Sequence, residues 1–158
     1  MSGPITYGTY LNLGKILGAQ EPPGPDGKPR PISHHDEMLF LIVHQAYELW
    51  FKQVLHELTL SRDLLAQDPV PEPDIMRVVM AMHRVHEIQK VLVAQLGVLE
   101  TMNPADFLAF RDALGNASGF QSVQFREMEL LAGLKDDVRY EYEGASFERR
   151  FTAAGAER

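Results

Sequence analysis

The chain has 158 residues, carries 15 Lys+Arg against 22 Asp+Glu for a net charge of −7, and is 45% hydrophobic, a balance that suits one soluble domain or part of one. It contains no cysteine, which excludes disulfides, thiolate nucleophiles, Cys-ligated zinc and iron–sulfur clusters, while the acidic balance argues against nucleic acid or an anionic membrane as a partner. The longest unbroken apolar run, 38–43, is too short to span a bilayer, and the chain does not start with a basic segment followed by a long apolar run, so a cytoplasmic location is expected.

Strand patterns are nearly absent and four segments carry helix signals, so an all-α helical bundle of about four helices is expected over residues 1–134. A Pro/Gly-rich stretch at 21–31 cannot continue a helix and favours extended, solvent-facing chain. Ser33 stands three residues before Asp36 in the capping-box arrangement, which predicts a long helix over about 34–66. Its apolar residues, among them Phe40, Val43, Leu49, Trp50 and Val54, point nearly all round the axis in the first half and predict burial on most sides.

Pro69, Pro71 and Pro73 interrupt the pattern, and Asp74 is expected to cap a second helix over about 75–99. There Val78, Met82, Val85, Gln89, Leu92, Leu96 and Leu99 alternate three- and four-residue steps, the seam of a helix packed nearly antiparallel on a neighbour. Asn103-Pro104 begins a third helix as N-cap plus N1 proline, and Gly115 stops it. A small-residue loop, 116–119, leads to a fourth helix over about 120–134. The polar, charged residues 135–158 are expected to form a poorly ordered tail.

Six histidines invite a metal hypothesis, but no His-Glu-x-x-His occurs and no histidine has Glu three residues before it. His83 and His86 share a helix face with charged residues, which suits a solvated pair better than a metal site. In His34-His35-Asp36-Glu37, consecutive side chains point apart, and the bland alternative is a capped, acidic first turn favoured by the helix dipole. No metal site is therefore expected from the spacings. His44 follows Leu41, Ile42 and Val43 and lies one turn after Phe40; such a histidine is either a core residue bonded to a carbonyl or a ligand-facing group. Phe107 and Arg111 repeat the four-residue step beside Leu108, Phe110 and Leu114. A guanidinium on that apolar face needs an anion, because burying it unpaired costs several kcal/mol. The anion is either an internal carboxylate such as Glu48 or Glu57, or a ligand carboxylate or phosphate. Trp50, Met76, Met80 and Met82 read as core filling.

Three blocks resemble the N-terminal portion of the tryptophan 2,3-dioxygenase family. They are Thr6-Tyr7-Gly8-Thr9-Tyr10-Leu11; His35-Asp36-Glu37-Met38-Leu39-Phe40-Leu41-Ile42-Val43-His44-Gln45 with Glu48-Leu49-Trp50-Phe51-Lys52; and Phe110-Arg111 followed by Ser118-Gly119-Phe120-Gln121-Ser122 and Gln124-Phe125-Arg126. The resemblance implies haem-dependent cleavage of the indole ring of L-tryptophan by O₂ to N-formylkynurenine. It makes Phe40 and His44 the pair that walls the indole, His44 the catalytic residue that orients it, and Arg111 the holder of the substrate carboxylate. Leu41, Ile42, Val43 and Phe107 become further substrate-binding positions, and Ser118 and Gly119 the loop beside the haem. Tyr7, Tyr10 and Leu11 resemble an arm that completes a neighbouring subunit's pocket, which implies a homotetramer. Two departures stand out. The loop at 21–31 is longer than usual, which should alter only a surface connection, and none of the six histidines matches the family's axial iron ligand. A related haem-dependent aromatic amino-acid oxygenase and a non-catalytic helical assembly module are the rival expectations.

Overall fold

The computed structural model describes residues 4–134, all helix and loop apart from one isolated bridge between Pro23 and Pro29. The expected tail at 135–158 lies outside the described residues. Six α-helices appear in the order α1 Tyr7–Tyr10, α2 Leu13–Ile16, α3 His35–Leu65, α4 Glu72–Leu99, α5 Pro104–Arg111 and α6 Val123–Leu131, with 3-10 turns at Asp112–Leu114 and Gly119–Gln121. Among these residues no helix is long and apolar enough to cross a membrane.

The four expected helices are present with shifted ends, and two short ones precede them. Thr6 caps α1 reciprocally with Thr9, and Asn12, in left-handed conformation at φ 52°, turns the chain into α2. Helix α4 starts earlier than expected: Pro71 is its N-cap and Pro73 fits the first turn, where a missing N–H costs nothing. Asp74, the expected cap, instead accepts from Arg77 at 2.8 Å and Gln67 at 3.1 Å. Asn103 does cap α5, accepting from Ala105 N at 2.9 Å. That helix tightens into the 3-10 turn before Gly115, whose φ of +55° suits glycine. The last expected helix splits, because Ser122 caps α6 and leaves Gly119–Gln121 as a separate turn.

Two compact units result. Among the described residues the first comprises 4–42 and 102–115, and the second 43–101 and 116–134. In the described part of the second, Val54 of α3 packs with Val85 and Ile88 of α4, and Leu58, Met82, Leu92 and Met128 close around them. Phe51 meets Tyr47 and Phe125 at centroid distances of 5.8 and 5.6 Å, and Gln124 donates to the Glu48 backbone and carboxylate at 2.9 and 2.7 Å. Buried Glu57 accepts from Arg84 at 2.6 Å and Gln53 at 2.7 Å.

Three packing expectations are corrected. The α4 seam runs through Ala81, Val85, Ile88, Leu92 and Gln95, so Gln89 and Leu96 face outward. Gln95 can hold a seam position because its amide donates to the Val43 carbonyl at 3.0 Å. Helix α3 is not buried on most sides: Ile42, Leu49 and Trp50 are exposed, and its buried residues among those described are Glu37, Val43, Val54, Glu57, Ser61 and Leu64. Trp50, Met76 and Met80 are likewise not core filling, and only Met82 packs against the interior. Trp50 instead lines an open groove of about 700 Å³ with Ala46, Leu49, Gln53, Ile88 and Val91.

Candidate functional site

The first unit gathers an aromatic cluster. Phe40 of α3 lies 5.9 Å from Phe107 and 5.7 Å from Phe110, both of α5, and those two meet edge to face at 5.5 Å. Phe110 is the only residue of the three that is fully buried, at 1% exposure, and it anchors the cluster, while Phe40 and Phe107 stay half-buried and can still present ring surface. His34 stacks on Phe110 at 6.1 Å, and its Nε2 stands 3.7 Å from an Asp106 oxygen.

Arg111 ends α5 one turn after Phe107. It is exposed and donates to the Gly115 carbonyl at 3.2 Å. Within the second unit, Glu48 accepts from Gln124, and Glu57 accepts from Arg84 and Gln53. A guanidinium has five donors, and one that gives a donor to a backbone carbonyl retains the fork that matches a planar carboxylate.

Sequence reasoning missed the residues beneath this site. The Pro/Gly stretch faces solvent but is folded back on itself rather than extended. Gly24 N donates to Lys28 O at 2.7 Å and Arg30 N to Pro22 O at 2.9 Å, closing a small loop with Gly27 at φ +75°. Its base carries Arg30 onto fully buried Glu37, where Nη1 donates to Oε2 at 3.1 Å and Nη2 donates to Oε1. Ser33 donates to Glu37 Oε2 from both its backbone N and its hydroxyl, each at 2.7 Å. The expected capping box of Ser33 with Asp36 is not formed: Ser33 donates to Glu37, and Asp36 N donates to His34 Nδ1 at 3.3 Å. The Arg30 guanidinium, seconded by the Ser33 donors and opposed by burial, holds the Glu37 carboxyl down at about 2. The signal in the sequence was a lone arginine seven residues ahead of a first-turn glutamate, with nothing to mark it from a surface pair.

The remaining predicted positions fall as follows. Leu41 is half-buried, Ile42 is 48% exposed, and Val43 is buried in the second unit, which also holds half-buried His44. Ser118 caps the Gly119–Gln121 turn, accepting from Phe120 N at 3.3 Å, and a Cβ added at Gly119 would meet nothing within 4 Å. Tyr7 and Tyr10 are exposed and Leu11 half-buried. His83 is exposed, with its Nε2 3.8 Å from a Glu87 oxygen. Among the described residues no group of three or more His, Asp or Glu side chains is placed to hold a metal ion.

The sequence model of the tryptophan 2,3-dioxygenase family matches residues 1–158. The chain belongs to the tryptophan 2,3-dioxygenase family. Relatives bearing that name include proteins of Alteromonas mediterranea, 47% identical over 149 residues, and of Nocardioides sp., 48% identical over 144 residues. These alignments cover 94% and 87% of this chain but 40% and 49% of the relatives. Tryptophan 2,3-dioxygenase B of Danio rerio is 46% identical over 150 residues, covering 94% of the chain and 36% of the relative. The chain thus spans between about a third and a half of the length of these relatives.

Family membership implies haem. The open backbone at Gly119 can accept the edge of a flat group. The groove beside Trp50, however, has no histidine in its lining, and no described histidine matches an axial ligand. These residues do not make a haem site by themselves.

Proposed function

We propose that the protein acts in the oxidative cleavage of the indole ring of L-tryptophan by O₂ to N-formylkynurenine, as the substrate-recognition part of a haem-dependent, cytoplasmic tryptophan 2,3-dioxygenase. The observation that carries this is Arg111. An exposed guanidinium that donates to a backbone carbonyl, one turn after the half-buried ring of Phe107 and close to an aromatic cluster, offers charge and flat apolar surface together. A zwitterionic amino acid with an indole side chain matches both, its carboxylate on the fork and its ring on the aromatic faces. The family resemblance supports the further roles: His44 orienting the indole N–H, Leu41, Ile42 and Val43 bordering the substrate, Ser118 and Gly119 beside the haem, and Tyr7, Tyr10 and Leu11 reaching a neighbour in a homotetramer.

The test is Arg111→Lys in the full-length holoenzyme. Lysine keeps the charge but loses the two-pronged geometry, so binding of tryptophan should weaken by about 1.5–3 kcal/mol, roughly one to two decades. Tryptamine, which lacks the carboxylate, should be affected far less. A wild type that binds tryptamine as tightly as tryptophan would overturn the assignment.

A further inference from the structure

We propose that Arg30 and Glu37 form a positioning clamp that sets the Arg111 guanidinium for a substrate carboxylate, an inference that rests on the role given to Arg111 above. Three segments of the first unit converge on these two side chains. Glu37, in the first turn of α3, is fully buried and accepts four hydrogen bonds, two from Arg30 and two from Ser33. Arg30 then reaches further: Nη1 also donates to the Pro31 carbonyl at 3.0 Å and Nη2 to the Ala113 carbonyl at 3.4 Å. Ala113 sits in the middle of the 3-10 turn Asp112–Leu114, directly between Arg111 and Gly115. Gly115 closes that turn by donating to Asp112 O at 3.2 Å, and its own carbonyl takes the Arg111 guanidinium.

A long exposed arginine loses rotamer freedom when it binds a ligand, and a site that restricts it beforehand lowers that cost. Here the restricting contact is the Gly115 carbonyl, so the position of the 112–115 turn decides where the fork points. Arg30 supplies an anchor from outside the turn, and Glu37 fixes Arg30, since a bidentate pair with a carboxylate held by two further donors has one geometry. The positive charge of Arg30 at the C-terminal end of α5 also suits the helix dipole. A pair that only stapled the 21–31 loop to α3 would not need the Ala113 contact.

The experiment compares wild type, Arg30→Ala, Arg30→Lys and Arg111→Lys as full-length holoenzyme, reading kcat and KM for tryptophan and for tryptamine. Arg30→Ala is expected to raise KM for tryptophan about fivefold to twentyfold, as misplaced positioning groups do, with kcat and the tryptamine KM changed less than about twofold. Arg30→Lys keeps the charge but loses the fork, and should shift the tryptophan to tryptamine KM ratio by about threefold; it carries the test alone if Arg30→Ala does not fold. A folded Arg30 variant whose ratio is that of wild type, or that loses activity on both substrates alike, overturns the clamp. Preference for tryptophan lost in Arg111→Lys but kept in Arg30→Ala overturns the clamp alone. Preference kept in Arg111→Lys overturns the reading of Arg111 and the clamp with it.

Discussion

Tyr47 of α3 donates its hydroxyl to the Leu92 carbonyl of α4 at 2.7 Å, three residues before Gln95 returns a donation to the Val43 carbonyl at 3.0 Å. The two bonds run between the same stretches, 43–47 and 92–95, and lock the register of α3 against α4 beside the core of Val54, Val85 and Ile88. Partial burial pushes the Tyr47 hydroxyl pKa up, so it remains a donor at neutral pH. Tyr47→Phe should cost about 1 kcal/mol of unfolding free energy. Combined with Gln95→Met, which leaves the Val43 carbonyl with its helix partner only, the loss should differ from the sum of the single changes by about 0.5 kcal/mol or more, because the bonds share both helices. Urea denaturation of the four proteins in the cycle checks this, and strict additivity would show the two contacts to be independent.

Glu37 makes stability depend on acid. Its carboxyl is held at about 2 against an ordinary 4.5, chiefly by the Arg30 guanidinium. A depressed carboxyl stabilises the fold fully above its unfolded value and loses that contribution as pH falls through the folded one. Between about pH 5 and pH 2, therefore, this group alone should remove about 2–4 kcal/mol. Glu37→Gln should be less stable at pH 7, because Arg30 loses a charged partner, and its stability should fall less steeply over that interval. Identical acid slopes for the two proteins would contradict the assignment.

How legible this clamp was follows from what its parts look like in a sequence. Asn103-Pro104 announced its helix because cap and N1 proline act locally, and the all-α character followed from the apolar periods of α3 and α4. The α4 seam came out one position off at two places. Val85, Leu92 and Leu99 fit either phase, and hydrophobicity prefers Leu96 to Gln95, whereas the fold half-buries Gln95 because a carbonyl of α3 awaits its amide. Arg30 lay further out of reach. Its pairing depends on a loop closing through Gly24, Gly27 and Pro22, and on Ala113, 83 residues away. Phe40, Phe107 and Arg111 could be named from the family resemblance, but Phe110, which holds the two rings together, was read only as a flanking residue.

The aromatic cluster should separate stability from recognition. Phe110 is 1% exposed and touches Phe40, Phe107 and His34. Phe110→Ala removes a fully buried ring and should cost about 3–5 kcal/mol. Phe107→Ala removes a half-buried one and should cost less, about 1–3 kcal/mol, while raising the KM for tryptophan more than its stability loss explains. Chemical denaturation alongside steady-state kinetics tells the two apart. Equal stability losses, or an unchanged KM in Phe107→Ala, would show that Phe107 is packing alone.

The N-terminal arm carries the last expectation. Ile5, Tyr7 and Tyr10 are 82%, 77% and 76% exposed, although two of them are aromatic and all three lie within six residues. A four-residue helix such as α1 is too short to be stable by itself, so an arm of this kind is ordered by what it docks against. Three exposed large apolar side chains this close together form the sort of patch that association buries, and in a symmetric oligomer the same arm reaches the same place on every neighbour. If that place borders the neighbour's substrate site, assembly and activity are coupled. Deleting residues 1–12 should then weaken the oligomer and raise the KM for tryptophan together, and oligomers mixing the deletion with Arg111→Lys should regain part of the activity by pairing an intact arm with an intact guanidinium. Analytical ultracentrifugation and kinetics on the same preparations decide it: a deletion that leaves the assembly and the KM unchanged means that the arm does not serve a neighbour's site.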